Sequence, residues 1–352
     1  METVAFSSLK GIEQQNFLTQ FSEFPTQVRK DPWRENLLNP TLLKALIETP
    51  LPVPKEFWIV KQGEKVLGTC GANVCLSCPQ VGYFGFFELD MQEKQWEIVG
   101  ALLFQQAEAW LKQHCVERIL GPVSLSTWFP YRWRTDSADS LRLDWEPGQP
   151  SEFVQCALKA GFIPGVDFQS VGTGSPTKMA ELLVPHHSRL VEQGFSFEVL
   201  KGSDVRAEHV ADLHFITHEA FSGGFLFDPL PLQMFEKIYV PMINSPKHDV
   251  RIIFCMNPQG VRCGYLIGFV QEGALVFKTV ANARSRSGAT ANVLNPMLEE
   301  SLRMGLALGV REMHCALMRA DNRSMLFAER FARDGGELWR HTYSLFEKKF
   351  RN

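Results

Sequence analysis

In the stretch FKTVANARSRSGATANVL, residues 277–294, Arg284 and Arg286 alternate with Ser285 and Ser287, and Gly288, Ala289 and Thr290 follow. The run before them, closing on Thr279 and Val280, reads as a strand. A helix is expected from about Ala291 to Leu308, with Gly309 at its C-cap. The chemistry such a junction offers is anion binding. Unpaired N–H groups of a helix's first turn converge on one point, and the macrodipole places roughly half a positive charge there. Glycine lets an anion approach the backbone, and small neighbours leave the surface open. Charge agrees: no acidic residue falls between Glu272 and Glu299, whereas Lys278, Arg284 and Arg286 are basic. The spacing matches neither G-x-x-x-x-G-K-[ST] nor G-x-G-x-x-G, so a P-loop or a dinucleotide fingerprint is not supported. On these residues alone, solvated arginines at a helix start explain the pattern as well as a bound phosphate does.

The elements that must position this junction are legible from hydrophobic period and breakers. At about 100–200 residues per domain, 352 residues make two domains. The first half reads as interrupted helix over 11–48, a hairpin (56–60 and 65–74) turning at Gly63, a strand at 83–89, and an amphipathic helix from Trp96 to His114. A strand at 118–123 and a short helix at 151–162 follow. The second half repeats the order. It has a strand at 197–202, a helix over 204–221 with Asp204 as N-cap, a Gly/Pro loop, a second helix, three strands and the junction helix. A strand, a helix starting at Asn322 and a final extended pair close it. Matching order without matching residues implies structural duplication, with domains at 1–188 and 189–352 divided in the polar run PHHSRLVEQG (185–194). The expected fold is α/β of the α+β, mixed-sheet kind. The equivalent junction of the first half, residues 83–103, carries Glu88, Asp90, Glu93 and Glu97 against Lys94 alone, so only the second half is expected to hold a polyphosphate.

Composition narrows the function classes. With 36 basic and 39 acidic residues the net charge is −3, which disfavours nucleic acid and anionic membrane as partners. The N-terminal run lacks the pattern of a secretory signal, and no apolar run approaches the roughly 20 residues of a membrane span, so a cytoplasmic protein is expected. Eight scattered cysteines fit reduced thiols. Cys70, Cys75 and Cys78 have C-x4-C-x2-C iron–sulfur spacing, but a strand of small residues is the plainer account, and no metal is expected. His214 and His218 share one helix without an H-E-x-x-H pattern and read as packed or surface histidines. His186 and His187 read as solvated. Trp128, Tyr131, Arg132, Trp133 and Arg134 form an aromatic–basic cluster, either a packed loop or a binding surface. The Ser222-Gly223-Gly224-Phe225 loop reads as a connector or a flexible cover.

TVANARSRSGATANVL resembles the acyl-CoA pyrophosphate loop of the GNAT acyltransferase superfamily, roughly V-x-P-x-x-R-G-x-G-x-G followed by a helix. In that family a splayed strand exposes backbone to pantetheine, and the loop holds the pyrophosphate. Residue by residue, Val280 takes the strand-end position, Ser285 the usual Arg/Gln position, Gly288 the first retained glycine and Thr290 the last. The serine and the threonine depart from the pattern. Asn322 in MRADNRS resembles the family asparagine that opens the next helix. Seven residues on, where many members carry a tyrosine acid, stands Glu329, which leaves Tyr343 or His314 as alternative acids. The segments 17–33 and 121–136, and the pairing of 314–324 with 338–349, resemble an uncharacterised class of tandem GNAT-like bacterial proteins. The resemblance implies two GNAT folds, the first with a degenerate cofactor loop, and acetyl-CoA or another acyl-CoA as co-substrate for acylating a small-molecule or peptide amine. A non-catalytic GNAT-fold binding or scaffold protein is the alternative reading. An aminoacyl-tRNA-dependent transferase is the third, set against the charge.

Overall fold

The computed structural model describes residues 1–29, 38–49, 52–136, 143, 145–288 and 290–350. The chain forms two compact units, one of Met1–Phe168 with Thr342–Asn352 and one of Gln169–His341. Among the described residues no helix is long and apolar enough to cross a membrane.

In chain order the first unit has β1 (Glu2–Ala5), α1 (Ile12–Val28), α2 (Pro40–Glu48), β2 (Lys55–Gln62), β3 (Lys65–Val74), β4 (Val81–Leu89), α3 (Trp96–Gln113), β5 (Arg118–Gly121), β6 (Trp133–Arg134) and α4 (Ser151–Lys159). β7 (Ile163–Thr173) leads into the second unit's α5 (Pro176–Glu192), β8 (Ser196–Lys201), α6 (Ala207–Phe221), α7 (Leu232–Ile243), β9 (Asp249–Met256), β10 (Arg262–Gln271) and β11 (Ala274–Asn282). Then come α8 (Arg284–Ser287), α9 (Leu294–Ala307), β12 (Glu312–Arg319), α10 (Ser324–Gly335) and β13 (Glu337–Lys349).

The first unit's sheet runs β1-β2-β3-β4-β5-β13, with β6 also on β13. The chain's last strand completes it: Phe346 pairs with Gly121 and Tyr343 with Arg134, both antiparallel. Alternation along the strands gives the sheet two apolar faces. Leu103, Phe104 and Phe153 from α3 and α4 cover one, and Phe17, Phe21, Leu43 and Leu46 from α1 and α2 cover the other.

The second unit's sheet runs β7-β12-β11-β10-β9-β8. Met179 and Leu183 of α5, Met297 and Leu302 of α9 and Phe331 of α10 pack on one face against Cys255, Leu275, Met313 and Cys315. α6 packs against β10 and β11, where Thr217 Oγ1 and Tyr265 OH lie 2.7 Å apart inside the core.

Several sequence expectations change here. The polar run 185–194 is mostly helix, the C-terminal half of α5, and it lies within the second compact unit. Its apolar positions, Met179, Leu183 and Leu190, keep a helical period that Pro185 and the two histidines obscure. α6 starts at Ala207, with Arg206 rather than Asp204 at its N-cap, because Gly202–Asp204 closes a separate 3-10 turn. The final extended pair is one long strand, β13.

Candidate functional site

β11 and β12 pair in parallel over only four positions, from Ala274–Glu312 to Phe277–Cys315. Beyond that, β11 continues to Asn282 and β12 to Arg319 without pairing to each other. Two irregularities cause the splay. On β11 the register against β10 slips between Ile267 and Gly268, leaving Lys278 as a bulge residue. On β12 Leu317 adopts φ +53°, a left-handed conformation uncommon for leucine, and its N–H turns to Ser170 Oγ at 3.0 Å. Half-buried Thr279 and Val280 therefore lie on the opened edge, with backbone groups that β12 does not engage.

The junction after β11 is built in two steps rather than the single strand-to-helix passage expected. Ala283 N–H is tied to the Cys263 carbonyl, and its own carbonyl accepts from Arg286 and Ser287 N–H, making the single turn α8. Gly288 ends that turn at φ +85°, with open space where a Cβ would stand. Ala289 lies outside the described residues; Thr290 is exposed. α9 then begins at Leu294, three residues later than expected. Pro296 is the reason: it has no N–H to give an upstream carbonyl, so it belongs in a helix's first turn.

The local electrostatics differ most from the sequence tally. α6 presents Asp212, Phe215 and Glu219, spaced i, i+3, i+7 on one helical face, and all three grip this turn. Arg286 Nη1 donates to Asp212 Oδ1 at 2.7 Å and to the Arg262 carbonyl at 3.0 Å, while its guanidinium lies 3.9 Å over the Phe215 ring. Glu219 accepts from Ser285 N–H at 2.8 Å and from the Ser285 hydroxyl. Burial pushes the Glu219 carboxyl up, but the Ser285 hydroxyl, the Ser285 and Arg284 N–H groups and the Arg286 charge outweigh it and hold the group below its ordinary value. The backbone donors that would meet a phosphate thus hold a carboxylate of the same chain. Arg284 is exposed and has no ion-pair partner among the described residues. Ser287 is buried, with its hydroxyl directed to the Gly288 carbonyl.

The remaining site candidates disperse. His314, on the paired part of β12, is buried, with Nε2 3.2 Å from Glu312 and its ring edge-on to Trp339. Glu329 forms an exposed ion pair with Arg340 at 2.9 Å. Tyr343 belongs to the first unit, fully buried on β13. α10 begins at Ser324 with Arg323 at its N-cap, two residues later than expected, and Asn322 stands just before the cap with its Oδ1 accepting from Ser324 N–H at 3.3 Å.

The equivalent splay of the first unit is closed by the chain itself. β4 and β5 pair over three positions, and the segment after β5 returns onto β4: Val123 N–H donates to the Phe84 carbonyl at 2.7 Å, and Phe86 N–H to Ser124 Oγ. A Cβ on Gly85 would lie 2.3 Å from the Val123 carbonyl oxygen, so no gap remains. The aromatic–basic cluster belongs to this plug. Trp133 packs among Phe84, Phe87 and Phe153, and buried Arg132 lies over the Tyr131 and Phe168 rings. The acidic junction is also neutralised, Glu88 by Arg29, Asp90 and Glu93 by Lys65, and Glu97 by Lys159.

Cys75 accepts from the Tyr83 hydroxyl at 2.9 Å, and burial pushes the Cys70 thiol well up. Cys70, Cys75 and Cys78 do not converge on one point among the described residues. His214 and His218 act as a clip on the loop after α6. His214 Nε2 lies 2.8 Å from the Leu230 carbonyl, and His218 Nε2 accepts from Leu230 N–H at 2.9 Å. Its Nδ1, 2.9 Å from the His214 carbonyl, then carries the proton of a neutral ring. Burial, with the neighbouring His214, lowers the His218 pKa below its ordinary 6.5. A group whose folded pKa is depressed in this way loses stability as pH falls through the unfolded value and on toward the folded one. The second unit's unfolding midpoint should therefore drop between about pH 7 and pH 5, and His218→Asn should flatten the slope. An identical slope in the variant would show that the clip does not carry the effect.

No family model matches the sequence, and no curated protein matches it. Solved structures do. A tandem GNAT protein from the clavulanic acid biosynthesis pathway is 11% identical over 99% of this chain and 98% of its own, with a TM-score of 0.55. A GCN5-related glucosamine N-acetyltransferase region of a fungal multi-domain GH3 β-N-acetylglucosaminidase is 12% identical over 99% of this chain and 38% of its own, at 0.54. A GCN5-related N-acetyltransferase from Anabaena variabilis is 7% identical over 98% and 72%, at 0.52. At such identities the likeness is one of fold, and the fold of this chain is a tandem GNAT fold.

Proposed function

We propose that the second unit binds an acyl-CoA, acetyl-CoA being the first candidate, and transfers its acyl group to an amine. The observation that carries this reading is the splay of β11 from β12 beyond Phe277 and Cys315, followed by the open turn at Gly288. An extended pantetheine amide chain is the kind of ligand that an opened parallel ladder can pair with. Thr279 and Val280 would supply that pairing, and the turn around Arg284, Ser285 and Gly288 would receive the pyrophosphate. A backbone N–H of the bulged strand would polarise the thioester carbonyl while the amine attacks, with proximity supplying much of the rate. Of the candidate acids, His314 is the one that stands on a strand bordering the splay. Because the first unit's splay is filled by its own backbone, one acyl-CoA per chain is expected.

Calorimetry with CoA and acetyl-CoA tests the binding step, and release of free CoA across a panel of amines tests transfer. Binding is expected at one site per chain, and Arg284→Glu should weaken it about tenfold without loss of fold. No heat at about 1 mM ligand would sink the proposal.

A second reading keeps the fold without the catalysis. Glu219, seated on the Ser285 donors, favours it. Binding without CoA release for any amine would select it.

A further inference from the structure

α5 and α9 pack side by side in the second unit, and His187 of α5 meets Glu299 and Glu300 of α9. His187 Nε2 lies 3.3 Å from Glu300 Oε2 and 3.7 Å from Glu299 Oε2, and the three donor atoms all fall within 4.8 Å of one another. Glu299 is only 6% exposed. Its Oε2, aimed at the imidazole, has no hydrogen-bond partner, and neither has His187 Nε2. A carboxylate withdrawn from water without a donor is strongly disfavoured, so this arrangement calls for a cation between the three groups.

We propose that His187, Glu299 and Glu300 bind one divalent first-row transition-metal ion, with zinc the best match. One imidazole with two carboxylates is the mixed N/O donor set that zinc accepts, with water at the fourth position, whereas magnesium and calcium prefer all-oxygen shells. Donors bound tetrahedrally to one zinc at about 2.0–2.2 Å stand roughly 3.3–3.6 Å apart. The 3.3 and 3.7 Å separations are close to that without backbone movement. The imidazole is already oriented, stacked on Phe197 with ring centroids 4.8 Å apart. Arg303 also engages Glu300, so the ion must share that carboxylate with a guanidinium. Bound there, the ion staples α5 to the second turn of α9, the helix that follows the Gly288 turn. The proposal is independent of any acyl-CoA chemistry.

The test uses the full chain stripped with a chelator and titrated with zinc, with cobalt as a spectroscopic probe. One ion per chain is expected, at a Kd tighter than about 10 µM, with cobalt bands of a nitrogen–oxygen site and no thiolate charge-transfer band. A hundredfold excess over Kd should raise the second unit's Tm by roughly 5–10 °C. Glu299→Gln and His187→Gln should each weaken binding more than tenfold. Should either fail to fold, Glu300→Gln, on a more exposed carboxylate, gives the same reading. Absence of binding at about 1 mM zinc, unchanged affinity in the folded variants, or a thiolate spectrum would overturn the proposal.

Discussion

Arg29→Met is expected to destabilise the first unit by about 3–5 kcal/mol, because it leaves the Glu88 carboxylate buried with no counter-ion. The pair is bidentate, at 2.6 and 2.8 Å, and both side chains are less than 10% exposed. Arg29 also donates to the Gly148 carbonyl at 2.6 Å and lies over the Phe153 ring. One guanidinium therefore ties the end of α1 to β4 and to the segment before α4. Removing it exposes neither charge to water; it leaves one charge without a partner. The double variant Arg29→Met, Glu88→Met should recover most of the loss, since replacing both members of a buried pair by apolar groups is often close to neutral. Tryptophan fluorescence in urea is a convenient readout, because Trp339 is the only tryptophan of the second unit and the other seven belong to the first. A loss below about 1 kcal/mol in the single variant, or no recovery in the double, would show that the pair is not the anchor the geometry describes.

That pair also marks where sequence reading stopped. The order of strands and helices was legible, because amphipathic period and breaking glycines survive in a single sequence: Gly63 and Gly309 both sit at positive φ, one at the expected hairpin turn and one at the expected helix end. The strand into the junction and the turn at Gly288 were legible as well, although β11 runs on past Val280 to Asn282. Partners distant in sequence were not. Summing charges along 83–103 gives an acidic junction, but Arg29 and Lys65 come from other elements to cancel most of it. The basic junction at 278–286 is offset in part the same way, Asp212 pairing with Arg286 and Glu219 seated on Ser285. The one available signal was the spacing of Asp212, Phe215 and Glu219 on a single face of α6, which a linear charge count ignores. His187 was read as solvated for a related reason. The polar run 185–194 reads as a domain boundary, and only the helix through it brings the imidazole to α9. Tyr343 was placed with the second half by sequence position, whereas the last strand completes the first unit's sheet.

Glu219→Gln is expected to raise the affinity for CoA about tenfold. Wherever the diphosphate enters this turn, it meets a carboxylate already bonded to the Ser285 N–H and hydroxyl. Two like charges about 5 Å apart at a partly solvated site repel by roughly 1–2 kcal/mol, and the phosphate must also displace bonds that the carboxylate now makes. Glutamine removes the charge but keeps an amide oxygen that can accept from Ser285, so the turn stays anchored to α6. Alanine would confound lost charge with lost anchoring. Acid does not substitute for the mutation: the Glu219 pKa lies below its ordinary value, so the carboxylate stays charged throughout any neutral assay and is relieved only as pH falls through that lowered value. Salt gives the independent check. The advantage of the variant should be largest near 20 mM ionic strength and shrink by about 300 mM, as the Debye length falls from roughly 20 Å toward 6 Å. Calorimetry of both proteins at the two salt concentrations decides it. Equal or weaker binding by Glu219→Gln would mean that the carboxylate organises the loop for its ligand rather than competing with it. Tighter binding joined to a first appearance of CoA release would make Glu219 a built-in restraint on a transferase. Tighter binding with no release for any amine would leave the second unit a CoA-binding module whose own side chain sets its affinity.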